Sequence, residues 1–253
     1  MLFEQHHHGL VSGEVARHWA ARIPIREAAL YAIANHDVGW RELDETVRWN
    51  DETGRPYSFL DYPAGPKLRA YANGLDHVQA RSLYAACLCS MHYGSFVRGA
   101  QGEPEVSFRE AEAARRRGIE ATLSEQEIES LEYNFRLLQL CDDVSLFVCL
   151  NEPGRNDYPH YKDGFGFVGA RLEPVWDDER TLRLNPNPFS QPFRTEVPYR
   201  VVGRNRQLQP RPQALGELGG GPGAARRQPH PRRAGGDPSP GGARHGPATG
   251  RRG

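Results

Sequence analysis

"AIANHDVGW", residues 32–40, sets a histidine and an aspartate side by side at the end of an apolar run with helical spacing. Burying a carboxylate there costs several kcal/mol unless a partner replaces the lost hydration. Asp37 therefore demands a cation, a strong donor or a metal ion. The other helical segments decide which.

Residues 125–150 read as a long helix whose inner stripe runs Ile128, Leu131, Phe135, Leu138, Asp142, Ser145, Cys149, in steps of three and four. Asp142 takes a core position on it, while Asp143 projects about 100° away. The second helix, after Pro24, carries Ile25, Ala29, Ala32 with Ile33, His36 and Trp40 on one stripe, with Asp37 beside it. A third helix, "LDHVQARSLYAACLCSMHYGSF" (75–96), carries Leu75, Val78, Ser82, Ala85, Cys89, His92 and Phe96. Near the N-terminus, His8, Ser12, Val15 and Trp19 share a face. Four helices thus aim His8, His36 with Asp37, His92 and Asp142 inward. One such residue is usually a satisfied core side chain. Their recurrence points to a shared metal site, and imidazole with carboxylate suits Mn, Fe, Zn, Co or Ni, as one or two ions.

The surrounding chain is read from its punctuation. "SGEVARHWAA" is helical and follows the native-looking triplet His6-His7-His8. Residues 44–72 are rich in Gly, Pro, Asn and Asp and read as a long loop, a common place for function. "SFRE" (107–110) and "SEQE" (124–127) both have capping-box spacing, which predicts helices over about 108–121 and 125–150. From residue 160 the pattern changes to short strands in "GFGFVGARLEPVW", "TLRLNPNPF" and "VPYRVV". "GFGFVG" (164–169) matches a dinucleotide fingerprint only formally, because Pro174 blocks the helix that a phosphate would need. The organisation expected is a helical metal-binding core over 1–150, a small β extension over 151–203, and a tail over 204–253.

The chain has 253 residues and 32 basic against 32 acidic side chains, but the balance is uneven. Residues 204–253 hold 12 Gly, 8 Pro and 10 Arg with Glu217 and Asp237 as the acids, which leaves 22 basic and 30 acidic side chains in the first 203. That tail lacks periodicity and is expected to be disordered. It reads as a solvated tail, as a basic arm for nucleic acid, or as an out-of-frame translation of GC-rich DNA. A nucleic-acid role rests on that tail alone and is not expected. Cys87, Cys89, Cys141 and Cys149 form no C-x-x-C pair and read as reduced, buried thiols. No basic segment precedes an apolar stretch at the N-terminus, and no apolar run approaches the ~20 residues of a membrane span. A cytoplasmic protein without a membrane partner is expected. Its oligomeric state stays open.

The order His8, His36-Asp37, Asp142 resembles the H…HD…D pattern of the HD-domain superfamily of metal-dependent phosphohydrolases, and "HDVG" resembles its H-D-x-G turn. "QHHHGLVSGEVARHW", "HDVGWRELD", "GRPYSFLDYP" and "LLQLCDDVSLFVCL" are together similar to family 3891 of the domains of unknown function, over about residues 1–203. The resemblance implies a mostly α, HD-domain-like helical bundle with a small C-terminal β-sheet. It also implies a divalent metal held by His8, His36, Asp37 and Asp142, with His92 at a place where two-metal relatives add a histidine. The activity implied is hydrolysis of a phosphoester on a small, phosphorylated substrate, with Asp37 as the catalytic residue that orients water. Many members carry a phosphate-binding Lys after H-D-x-G, where this chain has Trp40. Phosphate contact would then fall to Arg41, Arg55, Lys67 or Arg69. Two other functions are compatible with the same residues: a di-iron centre that uses O₂, and a non-catalytic metal-binding or interaction module.

Overall fold

The computed structural model describes residues 1–202 and 208–218. After a short strand β1 (Leu2–Phe3), the chain forms α1 (Gln5–Arg17), α2 (Arg26–Asn35), a 3-10 turn (Val38–Trp40) and the one-turn α3 (Arg41–Asp44). A small hairpin of β2 (Trp49–Asn50) and β3 (Arg55–Pro56) precedes α4 (Ala64–Gln79), α5 (Leu83–Phe96), α6 (Glu103–Glu120) and α7 (Glu125–Leu150). A 3-10 turn (Pro159–Tyr161) leads to β4 (Phe165–Phe167), β5 (Ala170–Asp178), β6 (Thr181–Asn185), β7 (Phe193–Val202) and β8 (Leu208–Leu218). The protein is mostly α, with its main sheet near the C-terminus.

The central helix is α5. It is apolar on every side, as a helix with no solvent face must be, and Tyr84 through Ser90, His92 and Tyr93 are all buried. Around it pack α2, α4, α6 and α7, while α1 lies against α2 and α7. Ser124 opens α7 with the full capping box expected of "SEQE".

Close backbone contact fixes the turn after α2. A Cβ on Gly39 would lie 2.0 Å from the Ala70 carbonyl oxygen, and one on Gly74 would lie 2.7 Å from the Gly39 nitrogen. This pair of glycines lets the His36–Gly39 segment press directly on α4, which holds His36 and Asp37 facing α5 and α7. Gly13 serves similarly between α1 and α2, since its Cβ would meet that of Ala34 at 2.6 Å.

Several boundaries differ from the sequence expectations. The helix expected over 75–96 is two helices, broken at Ala80–Ser82, where the Ser82 hydroxyl accepts the Ala85 N–H and starts α5. The loop expected over 44–72 gives way to α4 at Ala64. "SFRE" lies inside α6, which starts at Glu103 with Pro104 in its first turn, so its capping spacing was never used. Ile128, the first member of the α7 stripe, is exposed, and the buried stripe begins at Leu131.

Among the described residues, one sheet has the order β1-β7-β8-β6-β5-β4. All neighbours in it are antiparallel except β6 with β8. "GFGFVG" is the β4–β5 hairpin, turned by Val168 and Gly169 at positive φ, with no helix behind it. The strand β4 packs on α7 and β7 on α1. Within the tail expected to be disordered from residue 204, the backbone of Leu208–Leu218 instead pairs along the length of β7. Partner hydrogen bonding, not apolar content, specifies that strand. The rest of that expectation lies outside the described residues.

Candidate metal centre

The five expected ligands come from four parts of the bundle. His8 comes from α1, His36 and Asp37 from the end of α2, His92 from α5 and Asp142 from α7. All five are buried. His8 Nε2 lies 2.8 Å from Asp37 Oδ2, and His36 Nε2 lies 3.2 Å from Asp142 Oδ1 and 3.8 Å from Asp37 Oδ2. His92 Nε2 lies 3.5 Å from Asp142 Oδ2. Donors about 2.1 Å from one ion stand about 3 Å apart when adjacent, so these separations match the edges of a coordination polyhedron. Two triads, His8–His36–Asp37 and His36–His92–Asp142, bring one ligand atom from each member within 4.8 Å of the others.

Neighbouring groups set which atoms face inward. His36 Nδ1 donates to the Ile33 carbonyl at 2.8 Å, which leaves Nε2 for the centre. His8 Nδ1 donates to Ser145 Oγ at 2.8 Å, and Ser145 Oγ donates to the Asp142 carbonyl at 2.9 Å. Tyr93 Oη donates to Asp37 Oδ1 at 3.3 Å. Such outer bonds fix tautomer and ring orientation in metal sites. His92 differs, because its buried Nδ1 has no partner. Both triads use His36, whose one free nitrogen serves one ion. The two triads thus form one contiguous cluster of donors.

The electrostatics are those of a cluster awaiting positive charge. Among the described residues no Lys or Arg pairs with Asp37 or Asp142. Burial alone would lower His36, yet Asp37 and Asp142 raise it to about 9. Burial opposes ionisation of Asp37 and Asp142, but His36 and His8 hold Asp37 below its ordinary value and His36, His92 and His8 do the same for Asp142. Burial pushes His92 down to about 4 against the pull of Asp142. A protonated His36 thus supplies part of the charge that a metal ion would bring.

One side of the centre opens on a cavity of about 400 Å³ lined by Asp142, Asp143, Lys67, His160 and several aromatic side chains. Asp37, the catalytic candidate, is not among its lining residues. Lys67, expected to contact substrate, reaches this cavity. The other three candidates do not. Arg41 lines a separate cavity of about 370 Å³ with Glu42 and His77, because α3 leads away from the centre. Arg55 is exposed on β3, and Arg69 is exposed on α4. Sequence reasoning missed Asp143 and His160. Asp143, pushed up to about 7 by burial and the Asp142 charge, was visible as the second member of "DD". His160 gave no signal, since only the return of the chain after α7 brings it to the cavity.

All four cysteines are free, and burial raises each thiol. No helix among the described residues is long and apolar enough to cross a membrane. A family model described as "Protein of unknown function (DUF3891)" matches residues 1–204. No curated protein and no solved structure matches the chain.

Proposed function

We propose that this chain, which belongs to the DUF3891 family of proteins of unknown function, is a metal-dependent hydrolase of phosphoesters built on one divalent transition-metal ion. The observation that carries the proposal is the buried convergence of three imidazoles and two carboxylates, with no Lys or Arg among the described residues paired to the acids, beside a cavity. The order of His8, His36-Asp37 and Asp142, which resembles the HD-domain superfamily, supports the hydrolytic chemistry.

The donor set fits the ion. His8 Nε2, His36 Nε2, Asp37 and Asp142 would hold it, and His92 Nε2 is placed to join them. A bound ion would lower the pKa of a water and polarise a phosphoryl oxygen. The chain's own residues do the rest. Ile33, Ser145 and Tyr93 fix the inner ligands, as their bonds to His36, His8 and Asp37 indicate. Asp142 both holds the centre and faces the cavity, so substrate reaches the ion from its side rather than from that of Asp37. Asp37 keeps the role of an inner ligand that sets the charge of the centre. Lys67 stands in the cavity as the permanent cation for a phosphoryl group.

Elemental analysis of the full chain after reconstitution with Mn, Fe, Zn, Co or Ni, followed by assay with p-nitrophenyl phosphate and a phosphodiester, tests the proposal. About one equivalent of metal with metal-dependent turnover is expected. A folded protein that takes up no metal, or that holds metal and cleaves neither ester, would sink it. Two equivalents of iron with a visible absorption band would instead favour the di-iron alternative, because His92 would then serve a second ion.

A further inference from the structure

We infer that the substrate is a phosphomonoester of a hydrophobic alcohol, its organic group held in the aromatic cavity beside Asp142 and its phosphoryl group between Lys67 and the metal centre. This rests on the hydrolase reading above and narrows its substrate class.

The cavity walls are the first ground. Phe59, Tyr71, Phe96, Leu146, Leu150 and Tyr161 line a space of about 400 Å³, within the range that encloses a small organic molecule. Its rim is the second. Leu60 and Phe96 are 64% and 54% exposed and are two of the exposed large apolar side chains among the described residues. Exposed apolar groups at the mouth of a pocket mark an apolar ligand more readily than a hydrated one.

Charge is the third ground. Lys67 is half-buried, donates to the Phe59 carbonyl at 3.2 Å, and lines the cavity together with His160, Asp142 and Asp143. No arginine among the described residues lines this cavity. With the ligating carboxylates already balancing a divalent ion, Lys67 is the cation that the described lining adds, which suits a single phosphoryl group. A nucleoside triphosphate would bring about four negative charges against the same two acids, a repulsion this lining does not offset. A second cavity of about 270 Å³ shares Leu60, Lys67, Tyr71 and Phe96, and its further lining includes Asp61 and Glu105. It extends the apolar surface and adds two acids, not a second anion site.

The reaction balances without a further reactant. Water oxygen bonds phosphorus, the ester P–O bond breaks, and the leaving oxygen takes a proton to depart as the alcohol, with inorganic phosphate as the other product.

Calorimetric binding to the metal-loaded full chain tests the inference, with methylphosphonate, benzylphosphonate and ATP as probes. Benzylphosphonate is expected to bind at least about tenfold more tightly than methylphosphonate, the gain from burying a ring, and ATP no more tightly than methylphosphonate. Leu60→Ser, at an exposed position that the fold does not need, should cut the benzyl advantage by about threefold and leave methylphosphonate unchanged. Lys67→Met should weaken both phosphonates by similar factors. Equal affinity for the two phosphonates, or ATP binding more tightly than benzylphosphonate, would overturn the inference. Turnover separates it from the reading beneath it. Preference for benzylphosphonate without cleavage of benzyl phosphate would remove the hydrolase reading alone. Equal kcat/KM for benzyl and methyl phosphate would remove the substrate class alone.

Discussion

Helix α5 separates two buried acidic clusters that solve the same problem in opposite ways. His92 and Ser90, two residues apart, point to nearly opposite sides of the helix. On the Ser90 side, the buried Glu112 carboxylate accepts from Ser90 Oγ at 2.7 Å and from Arg115 Nε at 3.1 Å, while Arg116 donates to the Ser90 carbonyl and hydroxyl. A guanidinium completes that cluster, and it needs nothing from outside. On the His92 side, two carboxylates face three imidazoles, no Lys or Arg among the described residues pairs with them, and one imidazole nitrogen has no partner. A buried acid is thus not itself the sign of a site. The sign is a buried acid whose compensating charge the chain leaves removable.

The largest test of that contrast is His36→Ala. Loss of the nitrogen shared by both triads should abolish stoichiometric metal uptake and reduce any metal-dependent turnover by more than about 10³-fold. Metal-loaded wild type should also gain about 4 kcal/mol of stability at a thousandfold excess over Kd, a gain absent in the variant. Elemental analysis and paired denaturant curves read both effects. Metal retained at one equivalent would dissolve the distinction between the two clusters.

Breaking the other cluster should do the reverse. Arg115→Met leaves Glu112 buried without its guanidinium and removes the Arg115 bridge to Asp76. A loss of roughly 3 kcal/mol is expected, with metal content unchanged. A variant that unfolds less easily than wild type, or that loses metal, would mean the two sides of α5 are not independent.

A smaller effect sharpens the metal side. Ser145→Ala deprives His8 Nδ1 of its partner without touching a ligand. Affinity for the ion should fall by roughly 10- to 100-fold while stoichiometry at saturation stays the same. Unchanged affinity in a metal titration would show that packing alone orients His8.

Much of the centre was legible in the chain because helical periodicity is a local property. The stripe from Leu131 through Asp142 and Ser145 predicts which carboxylate turns inward, and the structure buries Asp142 and brings it to His36. His92 lands inside even though its helix was drawn too long, since the break at Ala80–Ser82 lies a full ten residues before it. The cavity was far less legible. Lys67 could be guessed only alongside Arg41, Arg55 and Arg69, as charge near a motif says nothing of direction. His160 depends on how the chain folds back after α7. The strand at Leu208–Leu218 escaped for a related reason: it owes its existence to β7, not to its own composition.

Asp44, partly buried on α3, shows a third case, a carboxyl with neither guanidinium nor imidazole bonded to it. Its Oδ2 accepts the Gln5 N–H at 2.7 Å, yet burial dominates and raises its carboxyl from an ordinary 3.8 to about 7. The folded protein therefore holds a proton at Asp44 that the unfolded chain releases near pH 4. The resulting stability is fully present below the unfolded value and is lost as pH rises through about 7. Asp44→Asn keeps an oxygen for Gln5 and cannot ionise, so the variant should lack this decline. The wild-type minus variant difference should fall across pH 4 to 7 by roughly 2 kcal/mol, the full linkage reduced for solvent screening. Denaturant curves at half-unit intervals measure it, and the subtraction removes the histidine titrations that both proteins share. A flat difference would mean that Asp44 ionises freely in the fold and that the Gln5 N–H, the first amide of α1, is compensation enough. Asp37 and Asp142 would then stand, among the described residues, as buried acids held ionised without a guanidinium or an ammonium of the chain.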